Sequence, residues 1–315
     1  MASRSHALQR LVVDSAGLAN RLAMRPVGTA GRNFGAWPLD RALADRVTLV
    51  TGASSGIGEA TARAVGEAGG TVALVARSQG KLEEVAAAVE AAGGTATVHP
   101  VDLTDLEAID ALCEQALAHH GHVDILVNNA GRSIRRSVSG STDRFHDYER
   151  TMQLNYFAAV RLTLGLLPAM QERRHGHVVN VSTLGVLTRV PRFSAYVASK
   201  AALDAFGDSL QAEVLGDDIR VTTIHMPLVR TPMIAPTGAY RGVPAITPAQ
   251  AAGFVTRAIV ERPRRLSPPV GQAMNVADVF VPGVTDWIRH RGFAASQDSR
   301  AARGAVPEEG GTVGE

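Results

Sequence analysis

Lysine is almost missing from this chain: of 32 Lys+Arg, only Lys81 and Lys200 are lysines. Cysteine is rarer still. The single Cys113 excludes an internal disulfide framework and any multi-cysteine zinc site. Its place among Leu106, Ile109, Leu112, Ala116 and Leu117, a stripe at helical spacing, reads as a buried structural thiol. Aromatic residues make up 4%, which leaves few rings for base stacking, and a net charge of +2 is too small to recruit nucleic acid. The pI of about 9.0 is only mildly basic. No apolar run is long enough to span a bilayer. What remains, 45% hydrophobic and 20% charged residues, describes a soluble globular protein with a substantial core. A cytoplasmic, reducing location is expected.

A lysine kept in so arginine-rich a chain marks a place where arginine would not serve. Arginine is a broad fork that hardly deprotonates, whereas lysine is a compact, tunable charge. Lys81, on an ordinary helical face, makes this suggestive only. Lys200 differs because Tyr196 stands four residues before it, in a run from Ala195 to Leu215 that reads as helix. That spacing puts both side chains on one face. A free tyrosine titrates near ~10. An adjacent ammonium favours the phenolate and draws that value toward the working range of an acid/base catalyst.

Residues 1 to 44 precede the first convincing strand. Leu8, Leu11, Val12, Ala19, Leu22 and Ala23 recur at helical spacing among arginines. Residues 1–25 therefore form a basic amphipathic segment with three readings: a helix packed on the domain or on a partner subunit (the favoured one), a peripheral membrane-surface helix, or a transit peptide. From Arg46 strands and helices alternate. Strands are expected at Val47–Val50, Thr71–Ala76, Thr95–Val101, Val123–Asn128, His177–Val181 and Arg220–His225. Helices are expected at Ala60–Ala68, Gln79–Ala92, Leu106–His120, Tyr148–Arg173 and Ala195–Leu215. Alternation of this kind, with apolar strands, implies an α/β domain built on one doubly wound parallel sheet, with helices on both faces. Residues 45–293 form this domain. A proline-rich loop at about 227–248 reads as a substrate lid. Helix Ala249–Glu261 and an amphipathic piece at Val284–Arg291 follow, and residues 294–315 read as a disordered tail.

Thr51-Gly52-Ala53-Ser54-Ser55-Gly56-Ile57-Gly58 joins the first strand to the first helix. Glycines there let the backbone turn tightly and approach a pyrophosphate, which lies on the amide-rich helix N-terminus. Gly52-Ala53-Ser54-Ser55-Gly56 also matches the G-x-S-x-G elbow of a hydrolase, with Asp102 and His225 as nominal partners of Ser54. Such an elbow normally follows several strands rather than the first, and that reading leaves Tyr196 and Lys200 idle. The second strand ends at Ala76-Arg77. A carboxylate at that point would bind an adenosine ribose and repel a 2′-phosphate; a guanidinium favours NADP(H) over NAD(H). Asp102-Leu103 and Asn128-Asn129-Ala130-Gly131 end the third and fourth strands, where a dinucleotide would lie. Asn180-Val181-Ser182-Thr183 ends the fifth and supplies hydroxyls upstream of Tyr196. His119, His120 and His122 form a polar helix end, since no carboxylate or cysteine completes a metal site.

These motifs, in this order from Arg46 to Ala258, resemble the short-chain dehydrogenase/reductase family. The resemblance implies that Tyr196 is the acid/base and that Lys200 holds the nicotinamide ribose while lowering the tyrosine pKa. Asn155, in Met152-Gln153-Leu154-Asn155, would hold a water for proton relay. A hydroxyl would orient the substrate oxygen. The usual spacing before the tyrosine selects Thr183, the Ser-x-x-Gly pattern selects Ser182, and Thr183 is slightly preferred. Gly52, Ser54, Ser55, Gly56, Ile57, Gly58, Arg77, Asp102, Leu103, Asn129, Ala130, Gly131, Tyr196, Lys200, Val229 and Thr231 would line the cofactor. Pro227-Leu228 stands where the family has Pro-Gly, so that turn is altered. The run Pro227 to Thr237 also resembles the reductase domains of actinobacterial fatty acyl-CoA reductases, whose long apolar substrates would suit an apolar lid. A small carbonyl or alcohol substrate, including lipid, is expected, and helices Tyr148–Arg173 and Ala195–Leu215 would pair subunits into a dimer or tetramer.

Overall fold

The computed structural model describes residues 38–235 and 243–295. The amphipathic segment 1–25, the lid tip 236–242 and nearly all of the expected tail lie outside the described residues. The described chain opens with α1 (Leu39–Leu43), whose Ala42 and Leu43 are buried in the core. Packed structure thus begins before the expected boundary at residue 44. Strand and helix then alternate: β1 (Val47–Thr51), α2 (Gly56–Glu67), β2 (Thr71–Ala76), α3 (Gln79–Ala91), β3 (Thr95–Pro100), α4 (Leu106–His120) and β4 (Ile125–Asn128).

The single long helix expected from Tyr148 to Arg173 is divided into α5 (Phe145–Met152), a π-helical turn (Gln153–Phe157) and α6 (Ala158–Glu172). β5 (Gly176–Thr183), α7 (Leu184–Thr188), α8 (Ser194–Val214), β6 (Ile219–Met226) and α9 (Pro248–Glu261) follow, then β7 (Arg265–Leu266), α10 (Pro269–Phe280) and α11 (Pro282–Ala294). Thr247 caps α9 through a reciprocal pair with Gln250, Thr247 Oγ1 accepting from the Gln250 amide and Gln250 Oε1 from the Thr247 amide.

The sheet has seven strands in the order β3-β2-β1-β4-β5-β6-β7, with every pair parallel. Chain direction across the sheet reverses between β1 and β4, and a crevice opens there beyond the carboxyl ends of the strands. β1 is buried at all five positions, as a strand covered on both faces must be. One apolar layer, with Val50, Val127, Val181 and Ile224, lies under α2, α3 and α9. The other, with Leu49, Leu126, Val178 and Val221, lies under α4, α6 and α8. Cys113 belongs to the second, and burial pushes its thiol up to about 11, so it stays protonated at neutral pH.

Besides α1, three elements escape the sequence reading. β7 is two residues long and α7 five, both too short to show periodicity. α10 has an apolar stripe (Val270, Ala273, Met274, Ala277, Phe280) that the sequence reading passed over, and in the structure only Gly271 of the helix is buried.

Candidate active site

Gly52 and Gly56, at the head of the crevice, have φ of +66° and +60°, a region that side chains disfavour. Gly58 serves a different need. A Cβ there would stand 2.2 Å from the Gly52 carbonyl oxygen, so only glycine lets α2 start against the turn. No side chain caps the α2 N-terminus at Ser55, and its first amides remain available to an anion.

β4 is tied to this turn. Thr51 Oγ1 accepts from the amides of Asn129 and Ala130 at 2.9 Å each, and Asn129 Nδ2 donates to the Thr51 carbonyl at 2.8 Å. Asp102 accepts from the Thr104 amide at 3.0 Å and from its hydroxyl at 2.9 Å. The amide bond to Thr104, more than the nearby Arg77 and Arg132, holds the Asp102 carboxyl below the usual range. Arg77 is exposed just past β2.

A cavity of about 750 Å³ joins these groups to the second half of the sheet. Of the residues expected to face a cofactor, all but Gly58 line it; Gly58 packs behind the turn. Ser182, Thr183, Tyr196 and Lys200 line its inner end, with Leu184, Val190, Phe193, Val197, Leu228 and Met233 forming an apolar wall. Asn155 does not reach the cavity surface. It is fully buried in the π turn, accepts from the Arg132 amide at 2.8 Å, and donates to the Arg132 carbonyl and Ser199 Oγ at 2.9 Å each. The extra residue of a π turn re-aims a side chain, which is why such turns gather at working sites.

The two candidate hydroxyls part company. Thr183 Oγ1 accepts from the Gly185 amide at 3.1 Å and is hydrogen-bonded to Tyr196. Ser182 Oγ is buried and has no hydrogen-bond partner among the described residues. Lys200 Nζ donates to the Val181 carbonyl at 2.8 Å. Burial raises the Tyr196 phenol, and the Thr183 bond opposes the rise. Lys200 itself is lowered by burial to about 8. Tyr196 and Lys200 line the same end of the cleft, with the ammonium anchored on the β5 backbone.

Ser54 and Asp102 of the hydrolase alternative border the cavity, but His225 does not. It is buried between Asp204 and Ser267. After β6, the altered turn at Leu228 is held to the far arm of the lid: Ile246 donates to the Leu228 carbonyl and Arg230 to the Ile246 carbonyl, at 2.9 Å each. Thr231 then sits against the Gly56 turn. Sequence reasoning missed the part played by Val181 and Asp204. For Asp204 a signal existed, an acidic residue one helical turn beyond Lys200.

A doubly wound parallel sheet with a glycine turn at its switch point, and a tyrosine and lysine facing that turn across one cleft, defines a nucleotide-dependent oxidoreductase. Comparison with known proteins agrees. The family model for short chain dehydrogenase matches residues 46–241, and the chain belongs to the short-chain dehydrogenase/reductase family of oxidoreductases. It is 56% identical over 278 residues to an uncharacterized oxidoreductase of Mycobacterium tuberculosis, covering 87% of this chain and 80% of that one. A fatty acyl-CoA reductase of Acinetobacter baylyi is 54% identical over 259 residues, 82% of this chain and 88% of the other. A second fatty acyl-CoA reductase, from M. tuberculosis, is 47% identical over 84% of this chain and 86% of its own length. Among solved structures, a short-chain dehydrogenase from Streptomyces avermitilis matches with a TM-score of 0.66 and 33% identity, over 79% of this chain and 98% of that one. A metagenomic short-chain oxidoreductase in complex with NADP matches with a TM-score of 0.62 and 33% identity, over 72% and 99%.

Proposed function

We propose that the protein is an NADP(H)-dependent oxidoreductase that interconverts a carbonyl and an alcohol on a long, apolar substrate such as a fatty aldehyde; the alternative is reduction of a fatty acyl-CoA, in which hydride and a proton convert the thioester to an aldehyde and CoA leaves as the thiol. One observation carries the reading: the glycine turn, Tyr196, Lys200 and an apolar wall share a single cleft. The residues fit a dinucleotide, since the Gly52–Gly58 contact leaves bare backbone at the head of α2. Nicotinamide, when bound, supplies or accepts the hydride. Tyr196 donates its proton to the carbonyl oxygen, and a phenol raised by burial is fully protonated at neutral pH for that task. Thr183 donates a second hydrogen bond to the same oxygen and thereby orients it. Lys200 supplies positive charge beside both. Asn155 pins the Arg132 backbone to the floor of the cleft, and by family likeness water near it replaces the donated proton. Arg77, with no carboxylate ending β2, supports preference for a 2′-phosphate.

The apolar substrate has support of two kinds. Two relatives carry the name fatty acyl-CoA reductase. A second cavity, of about 610 Å³, also adjoins the first across Val190 and Val197 and is walled by Val138, Val186, Pro191, Ala198 and Ala201. Pockets of ~300–1,000 Å³ each take one ligand of drug size. The first cavity has room for the nucleotide and the reacting carbon, and the groove for an aliphatic tail. Ala198 is exposed at the groove, so Ala198→Trp should fold and fill it. Denying about four methylenes their apolar contact costs ~3 kcal/mol. We expect kcat/KM for a sixteen-carbon aldehyde to fall about 100-fold, and that for a six-carbon aldehyde to be unchanged. Equal loss for both would remove the tail from the groove.

Phe157 and Leu164 are exposed on the outer face of the π turn and α6, which supports pairing of subunits through this surface. No helix among the described residues is long and apolar enough to cross a membrane. Peripheral contact through residues 1–25 stays a proposal resting on their basic, amphipathic sequence.

A further inference from the structure

Behind Lys200 lies a chain of buried polar groups that the reaction as described does not use. Tyr196, Lys200 and Asp204 follow one another at successive turns of α8. Asp204 Oδ2 lies 2.7 Å from His225 Nε2, and His225 Nδ1 lies 2.5 Å from Ser267 Oγ. A neutral imidazole has one N–H. With that proton on Nε2 it donates to Asp204, and Nδ1 accepts from the Ser267 hydroxyl. His225 is 2% exposed and the Asp204 side chain 13%. The other carboxylate oxygen, Oδ1, is buried and has no hydrogen-bond partner. Withdrawing a carboxylate from water without satisfying both oxygens is costly. The buried negative charge one helical turn from Lys200 is the feature to explain.

We propose that Asp204, held in place by His225 and Ser267, is a positioning residue that keeps Lys200 charged for turnover. The proposal rests on the roles given above to Tyr196 and Lys200. Burial pulls Lys200 down to about 8, and the Asp204 charge pulls it back up. Burial also raises Tyr196, the Thr183 bond lowers it, and Asp204 adds to the rise. Without the carboxylate Lys200 would lose its charge nearer neutral pH, while Tyr196, raised by burial, would keep its proton.

The surrounding charges leave this work to Asp204. Asp208, the next turn of α8, is engaged by Arg264 and Arg265 from the β7 segment. Asp278 of α10 is engaged by Arg189 and Arg289. From the sheet, the neighbour of His225 in register on β5 is the uncharged Ser182.

The scarcity of lysine makes a direct test possible. With ¹³C-lysine incorporated, the spectrum of the whole chain holds only Lys81 and Lys200. In the wild type the Lys200 signal should titrate near pH 8. In Asp204→Asn, which keeps the side-chain volume, it should titrate roughly 1 unit lower. The alkaline limb of kcat/KM for aldehyde reduction should move down with it. His225→Gln, which retains a donor toward Asp204, should move both by less. A merely structural Asp204 would lower Tm and leave the Lys200 titration in place, and that result in a folded Asp204→Asn would overturn the proposal. The titration needs no turnover, so a wild type inactive on every carbonyl would count against the proposed function alone.

Discussion

Tyr196→Phe is expected to lower kcat for carbonyl reduction by about 10²- to 10⁴-fold, the range that a positioned general acid contributes. The substitution removes one oxygen and its bond to Thr183 while keeping the ring that lines the cleft. Binding of NADPH, followed by its fluorescence, should change by less than ~3-fold, because the glycine turn and the α2 amides are untouched. Activity that survives in Tyr196→Phe would mean that proton transfer does not run through this phenol. The same variant separates an enzyme from a protein that only senses the nucleotide, for which loss of a proton donor would have no consequence.

The second large effect belongs to the turn. In Gly58→Ala the new Cβ would meet the Gly52 carbonyl oxygen at 2.2 Å and the Asn129 side chain at 2.7 Å. One of these is backbone and cannot swing aside. Forcing a methyl group into so tight a contact costs ~1–3 kcal/mol, and a chain of this size would lose on the order of 2–10 °C in Tm. Because the relief must come from moving α2 off the turn, NADPH affinity should fall at least tenfold. Gly80→Ala provides the control: nothing lies within 4 Å of its added Cβ, and both Tm and affinity should hold. A Gly58→Ala protein with native Tm and affinity would show that α2 is not anchored to the turn as described.

Much of this was legible in the sequence because periodicity reports burial. The residues of β1 and β2 sit in a sheet covered on both faces, so the apolar run of β2 matched its strand at both ends, while β1 runs one residue past its expected end, to Thr51. The glycine turn, Asn129 and Lys200 were legible because backbone approach and a buried cation leave few residue choices. The π turn was not. Its residues Gln153–Phe157 continue a helical pattern, and a single added residue per turn leaves no mark on amphipathicity. The choice between Thr183 and Ser182 was likewise hidden, since adjacent strand residues point to opposite faces and only the packing tells which face is the cleft. The anchoring of Lys200 on the Val181 carbonyl depends on contacts with the sheet, and a helical spacing carries no information about them.

The central claim, a cleft built for NADPH and a long apolar carbonyl, is tested most directly by NADPH oxidation with the purified protein. The panel should run from small ketones through aldehydes of rising chain length to acyl-CoAs, with NADH alongside. We predict that kcat/KM rises with chain length as methylenes fill the groove beyond Val190 and Val197, and that NADPH is preferred because Arg77 follows β2 where a carboxylate would repel a 2′-phosphate. Turnover confined to compact ketones, or a clear preference for NADH, would contradict the account.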